Sequence, residues 1–303
     1  MKLAVDHLYT LAGALLLTFA VRSLGDRGNP KRLGTGLFWF VYGLTFLLGG
    51  LVPPGVIGLM VVALALIGSF NLMGRGSYPE RSREEKVEAA RKLGNRIFIP
   101  ALCIPLVTFL VAKFTDLGAL VGLGVGTVAA FILALLMLRE RPYASLEEGR
   151  RLLDAIGWSA ILSQFLAALG FLFDKAGVGT VVAGMVSSVV PSGKPLLAVV
   201  AYCVGMALFT MVMGNAFAAF AVITTGIGIP MVVSLGADPS VVGVIGMLSG
   251  YCGTLMTPMA ANFNVVPAAL LELKDKNGVI KAQVPVAMFM LAANVTLMYF
   301  LAF

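Results

Sequence analysis

The chain is a succession of apolar runs, each near the roughly 20 residues that a helix needs to cross a hydrocarbon layer. They lie at about 3–21, 33–52, 55–73, 97–112, 117–138, 155–173 and 284–303, with a long interrupted apolar region from 196 to 271. Only 12% of the 303 residues are charged, about half of what a soluble domain carries. Such a chain buries its backbone polar groups in helices and faces lipid, which excludes a cytosolic enzyme, a disulfide scaffold or a disordered tail. The expectation is an all-α, polytopic integral membrane protein with about 8 transmembrane helices, a re-entrant hairpin and a broken helix.

The net charge of +7 does not point to nucleic acid, because the cations gather between the runs. Eighteen of the 22 Lys and Arg fall in 22–32, 74–96, 139–151 and 272–281, and only Lys2, Lys113, Lys175 and Lys194 stand elsewhere. Basic loops collect on the cytoplasmic side. An even number of crossings must then separate each loop from the next, which places the amino terminus outside. Between 151 and 272, one span at 155–173 and one at 240–271 satisfy that parity with a re-entrant hairpin between them; two full crossings there satisfy it equally. The first run, with Asp6 and His7 at its start and no small-residue cleavage site before Arg22, reads as a retained span.

Within the loops, Ser77 with Pro79 and Glu80 reads as a helix cap. Residues 79–92 read as a solvated, salt-bridged surface helix, and Ser145 with Glu148 as a capping box that starts another. The loop charges read as a cytoplasmic face in contact with water.

Enzyme motifs fail. With His7 as the single histidine there is no Ser-His-Asp triad or HExxH motif, and no phosphate-binding GxxxxGK[ST] occurs. Cys103, Cys203 and Cys252 sit in apolar stretches without CxxC spacing, so neither disulfide nor metal is implied. Gly118, Gly122 and Gly126 form a ladder suited to close helix packing. All fifteen Asp and Glu lie in loops or near span ends; Asp154 and Asp174, which bracket one run, read as interfacial. That leaves no proton relay in this chain.

What remains is backbone. Residues 196–232 comprise two apolar arms of about 17 residues meeting at Gly214-Asn215, with Ala216, Ala218, Ala219 and Ala221 on the return arm. Short arms without a charged loop between them suggest a re-entrant hairpin. Its second helix, starting at Asn215, would aim free N–H groups and a positive dipole end into the membrane interior. A tight turn between ordinary spans is the competing reading. In 249–267 (SGYCGTLMTPMAANFNVVP), a helix entering at Val241 should break at Gly253, Thr257-Pro258 and the Asn262/Asn264 pair, then resume before Pro267. Here too a plain kink competes. Two interrupted segments close together point to a transporter's binding site. Gln164 and Asn294 are read as packing polar groups.

Residues 213–230 (MGNAFAAFAVITTGIGIP) and 250–272 (GYCGTLMTPMAANFNVVPAALLE) resemble a family of bacterial membrane proteins, the domain of unknown function numbered nine-seven-nine. The resemblance implies one subunit of a 5-oxoproline (pyroglutamate) transporter, in a multi-pass arrangement in the bacterial inner membrane, with a second, smaller membrane subunit encoded nearby. More distantly the two stretches resemble half of an ion-transporter superfamily carrier of carboxylates, where each inverted repeat has a hairpin with an Asn-containing tip followed by a broken helix. Gly214-Asn215-Ala216 takes the place of the tip, and Thr257-Pro258 through Asn262 that of the break. Only one such unit is found in this chain, so the other half should come from another polypeptide. The implied division is 1–140 as scaffold or partner-packing helices and 141–303 as half a transport core.

On that resemblance the substrate-binding set is Gly214, Asn215, Ala216, Phe217, Thr224, Thr225, Thr257, Pro258, Asn262 and Asn264. A sodium ion as coupling ion would be held by Asn215, Thr257 and Asn262; no other cofactor is implied. Expected partners are a small carboxylate, membrane lipid and the second subunit. A non-transporting scaffold subunit, and a self-sufficient homodimeric carrier of another mono- or dicarboxylate, are the alternative readings.

Overall fold

The computed structural model describes residues 5–78, 83–139, 142–189, 193–271 and 273–303. Lys2, Pro79, Glu80, Arg81, Glu140, Arg141 and Glu272 lie outside the described residues, as do the side chains of Arg83, Lys86 and Asp174. The described residues are helical or irregular. Six helical stretches are long and apolar enough to cross a membrane: 5–25, 90–114, 118–138, 195–213, 216–235 and 278–302. Shorter apolar helices occupy 32–48, 54–69 and 239–255. The chain divides into two compact units, Met1–Trp158 and Ser159–Phe303.

The first unit holds α1 (Val5–Gly25), α2 (Arg32–Leu48), α3 (Pro54–Ser69), α4 (Arg83–Leu93), α5 (Ile99–Phe114), α6 (Gly118–Leu138) and α7 (Pro142–Ile156). Small residues form its seams. A Cβ at Gly43 would meet the Gly13 carbonyl at 3.1 Å, so α1 and α2 approach backbone to backbone. Gly122 and Gly126 face the carbonyls of Thr108 and Ile104 on α5 in the same way. Close packing thus accounts for two rungs of the glycine ladder; Gly118 instead opens α6 at a φ of +82°. α4 corresponds to the surface helix expected over 79–92. α7 begins at Pro142, three residues before Ser145, so Ser145 is not its cap. Glu148 instead pairs with Arg151 at 2.6 Å.

The second unit holds α8 (Leu162–Lys175), α9 (Val178–Val189), α10 (Pro195–Met213), α11 (Ala216–Ile223), α12 (Pro239–Leu255), α13 (Val265–Leu270) and α14 (Gly278–Ala302). The run expected as one span over 155–173 is divided. α7 takes its first two residues, a 3₁₀ turn fills 157–161, and α8 has 14 residues, about 21 Å. Glycines in the left-handed region, Gly157 at φ +58° and Gly177 at φ +71°, set both interruptions. α9 follows in a stretch where no helix was expected.

Each arm around Gly214-Asn215 is longer than expected: α10 has 19 residues, and the return arm runs 20 residues from Ala216 to Leu235. That arm widens into a π-helix over Thr224–Val232, where Pro230 lacks a donor and Gly226 and Gly228 admit close neighbours. α12 starts at Pro239, two residues before Val241, with Asp238 capping the N–H groups of Ser240 and Val241. It ends at Leu255. Gly253 lies inside the helix, and its missing side chain makes room for the Ala207 carbonyl.

α10 and α12 run parallel, because the close pairs advance together: Tyr202 with Gly246, Met206 with Gly250, Ala207 with Gly253. α14 is antiparallel to both, with the Asp238 N–H donating to the Ala302 carbonyl at 2.9 Å and Cys203 beside Met298 at 3.9 Å. Asn294 meets Cys252 at 3.7 Å, one turn before α12 ends. Counted from these contacts, α10 and α12 stop while α14 still has about 15–20 Å to run toward Gly278, at 1.5 Å per residue. The Gly-Asn turn and the α12 break therefore sit part-way along the longest helix of the unit.

Candidate functional site

Gly214 ends α10 with a φ of +68°, the left-handed conformation that closes a helix and turns the chain back. Asn215 is the N-cap of α11, and its side-chain oxygen accepts from the N–H groups of Phe217 (2.9 Å) and Ala218 (3.3 Å). The amide donors expected to face an anion at this helix start are thus partly occupied by Asn215 itself. The Ala216 N–H and the Asn215 side-chain NH₂ are the donors that the cap does not use.

The break is built just as locally. Thr257 Oγ1 donates to the Met211 carbonyl on the last turn of α10 (2.9 Å) and accepts from the Met259 N–H (3.2 Å). Asn264 Nδ2 donates to the carbonyls of Thr254 (2.8 Å) and Thr257 (2.6 Å), closing the irregular segment into a loop. Across the two segments, Phe217 packs edge-on against Tyr251, and Tyr251 against Phe263. Ala216 lies beside Gly250, where an added Cβ would be 3.2 Å from its methyl group.

Gly214, Asn215, Ala216, Phe217 and Thr257 are therefore brought to one place, with Asn264 behind them and Pro258 and Asn262 exposed on the break. Thr224 and Thr225 are not in that place. They lie nine and ten residues along the return arm, about 13 Å away. Thr224 pairs with the Tyr202 hydroxyl (2.8 Å), and Thr225 donates to the Ala221 carbonyl (2.7 Å).

Two buried oxygens at the junction lack a partner among the described residues: Asn264 Oδ1 and Thr210 Oγ1. Thr210 was not singled out by sequence. Its signal is a lone hydroxyl one turn before the Gly-Asn pair, on an otherwise apolar face. Of the residues expected to ligate sodium, Asn215 and Thr257 have their side-chain oxygens engaged and Asn262 is exposed, so the unpartnered oxygens are not the expected ones. Among the packing polar groups, Asn294 reaches Cys252, whereas Gln164 Oε1 is also buried without a partner among the described residues.

A second polar cluster, in the first unit, overturns the reading of its charges as a solvated face. Arg150 is 5% exposed and Asp154 8%. Arg150 bridges Asp26 (3.2 Å), Glu147 (3.0 Å) and the Ser77 carbonyl (3.0 Å), while Arg22 pairs with Glu147 and reaches the Tyr143 hydroxyl at 3.1 Å. Burial alone would raise the Asp26 carboxyl. The N–H groups of Ser77 and Gly28 and the Arg150 guanidinium outweigh it and hold Asp26 below the usual carboxylate range. Asp154, expected at an interface, accepts from Trp39 Nε1 (2.8 Å) and from the Tyr78 hydroxyl. Burial pushes Asp154 above its ordinary range despite those donors.

No curated protein matches the chain, and neither does any solved structure. Residues 6–303 match one family, described as a protein of unknown function (DUF979), and the chain belongs to that family.

Proposed function

We propose that this protein is one subunit of a secondary active transporter for a small carboxylate, with the anion bound where the Gly214-Asn215 turn meets the α12 break. The observation that carries the reading is their junction: Thr257 is tied to Met211 and Tyr251 packs edge-on between Phe217 and Phe263, part-way along α14. Irregular backbone at membrane depth is tolerated only in a protein-covered or water-lined place, and such places are where carriers bind.

The substrate's carboxylate would meet the Ala216 N–H and the Asn215 NH₂, donors held by the cap that Asn215 places on α11. A lactam ring such as that of 5-oxoproline, the substrate that the family resemblance implies, would lie against Phe217. A coupling sodium ion prefers oxygen ligands. The buried oxygens without a partner among the described residues, Asn264 Oδ1 and Thr210 Oγ1, are each candidates to ligate it, whereas the Asn215 oxygen is taken by the cap and Asn262 is exposed. Because one turn-and-break unit is half of a two-repeat site, a second membrane subunit supplies the rest. The protein would lie in the bacterial inner membrane with its amino terminus outside and its basic loops in the cytoplasm.

The test is radiolabelled 5-oxoproline uptake into proteoliposomes containing this chain alone or with its neighbour-encoded partner, with and without a sodium gradient. Sodium-dependent uptake requiring both chains supports the reading. Uptake by this chain alone points instead to a homodimeric carrier. No uptake by a folded pair rejects the substrate.

A further inference from the structure

Among the described residues, the buried cluster of the first unit does not balance its charges. Two guanidiniums, Arg22 and Arg150, meet three carboxylates: Asp26, Glu147 and Asp154. Both guanidiniums are committed to Asp26 and Glu147. Among the described residues no cation pairs with Asp154, whose oxygens are met by neutral donors, the Trp39 indole from α2 and the Tyr78 phenol from the 70–78 loop. Arg150, one turn away on α7, lies over the Tyr78 ring at 4.9 Å, and Asp26, Glu147, Arg22 and Tyr143 stand behind it.

We propose that Asp154 is a proton-binding site, carrying its proton on Oδ2 and sharing it with Tyr78. The geometry selects the atom. The Trp39 indole can only donate, so Oδ1 must remain an acceptor. Oδ2 faces a hydroxyl that can reverse its role: Tyr78 donates to the carboxylate, and it accepts from the carboxylic acid while keeping the Gly76 N–H at 2.9 Å. Taking up one proton brings the five described side chains to neutrality, and the Tyr78 O–H must then turn away from Asp154 so that its oxygen accepts. Burial outweighs the Tyr78 and Trp39 hydrogen bonds and the nearby Arg150 charge, and so supports the same assignment. This inference does not depend on the carrier reading.

Infrared spectroscopy on the full chain in detergent, with ¹³C-labelled aspartate and stepped pH, tests it. The expected result is a carboxylic-acid carbonyl band whose midpoint lies above the ordinary aspartate range and which is lost in Asp154→Asn. Asparagine can keep both contacts, accepting from Trp39 and donating to Tyr78. In Tyr78→Phe the midpoint should move upward, by on the order of tenfold in proton affinity, because the charged form loses a donor. Should Asp154→Asn fail to fold, the Tyr78→Phe shift decides alone. A midpoint in the ordinary range, a band unchanged in Asp154→Asn, or an unmoved midpoint in Tyr78→Phe overturns the proposal.

Discussion

The hydroxyl of Thr257 donates to the main-chain carbonyl of Met211 at 2.9 Å, tying the break after α12 to the last turn of α10. Thr257→Val keeps the shape and removes the donor, and should cost about 1 kcal/mol. Thr257→Ser should cost less. Thermal unfolding in detergent separates the two; equal melting points for Thr257→Val and the parent protein would remove this bond from the account.

Asn215 performs two tasks that substitution can divide. Asn215→Ala loses the cap, at about 1 kcal/mol, and should abolish uptake while membrane insertion persists. Asn215→Asp keeps an oxygen that caps but replaces the side-chain NH₂ with negative charge. Stability should therefore survive and uptake should not; normal uptake by Asn215→Asp would sink the assignment of this side chain to the substrate.

Gly253 faces a backbone carbonyl, which cannot swing away as a side chain can. Gly253→Val should force α10 and α12 apart and cost about 1–3 kcal/mol. Gly243→Ala, whose added methyl would come no nearer than 3.8 Å to Phe220, is the matched control and should leave the melting point nearly unchanged.

The carboxylates of the first unit give opposite pH dependences. Asp26 is held below its ordinary 3.8, so its stabilisation is present above that value and lost as pH falls through the lowered one. Asp154 is raised, so the folded state holds the extra proton, and stability falls as pH rises from 3.8 through the raised value. Melting curves against pH should lose the acid-side fall in Asp26→Asn and the other slope in Asp154→Asn.

Arg150→Met should destabilise by about 3–5 kcal/mol, since it leaves Asp26 without its cation in a buried place while Glu147 keeps only Arg22. Exposed Lys92, paired with Glu88 on α4, is the comparison, and Lys92→Met should leave the melting point nearly unchanged.

Helices were legible wherever an apolar run ended at a turn residue or a charge, as at Gly214-Asn215 and the stretch after Leu255. The two glycines that divide 155–189 were not, because glycine inside an apolar run marks close packing as readily as an interruption. Gly253 erred in the opposite sense: read as a break, it is a packing contact. The second cluster is not legible in sequence for a different reason. Arg150 and Asp154 have the spacing of a solvated helix face, and only when the segments at 26–31 and 70–78 fold over α7 do they lose water. Those partners are more than seventy residues away in sequence. At the Gly-Asn turn the residue type was legible but its engagement was not: a side chain that caps its own helix and one that awaits a ligand look the same in sequence.

The glycine-lined, parallel contact of α10 and α12 also limits how the second unit can move. Gly246 and Gly250 take in the Tyr202 and Met206 side chains, Gly253 meets the Ala207 carbonyl itself, and Thr257 fastens the end beside the turn, so the two helices interlock and leave little room to slide past each other. The turn and the break are carried as cargo on one beam. Any displacement relative to surrounding helices shifts the turn and the break together and leaves the spacing between Asn215 and Thr257 unchanged.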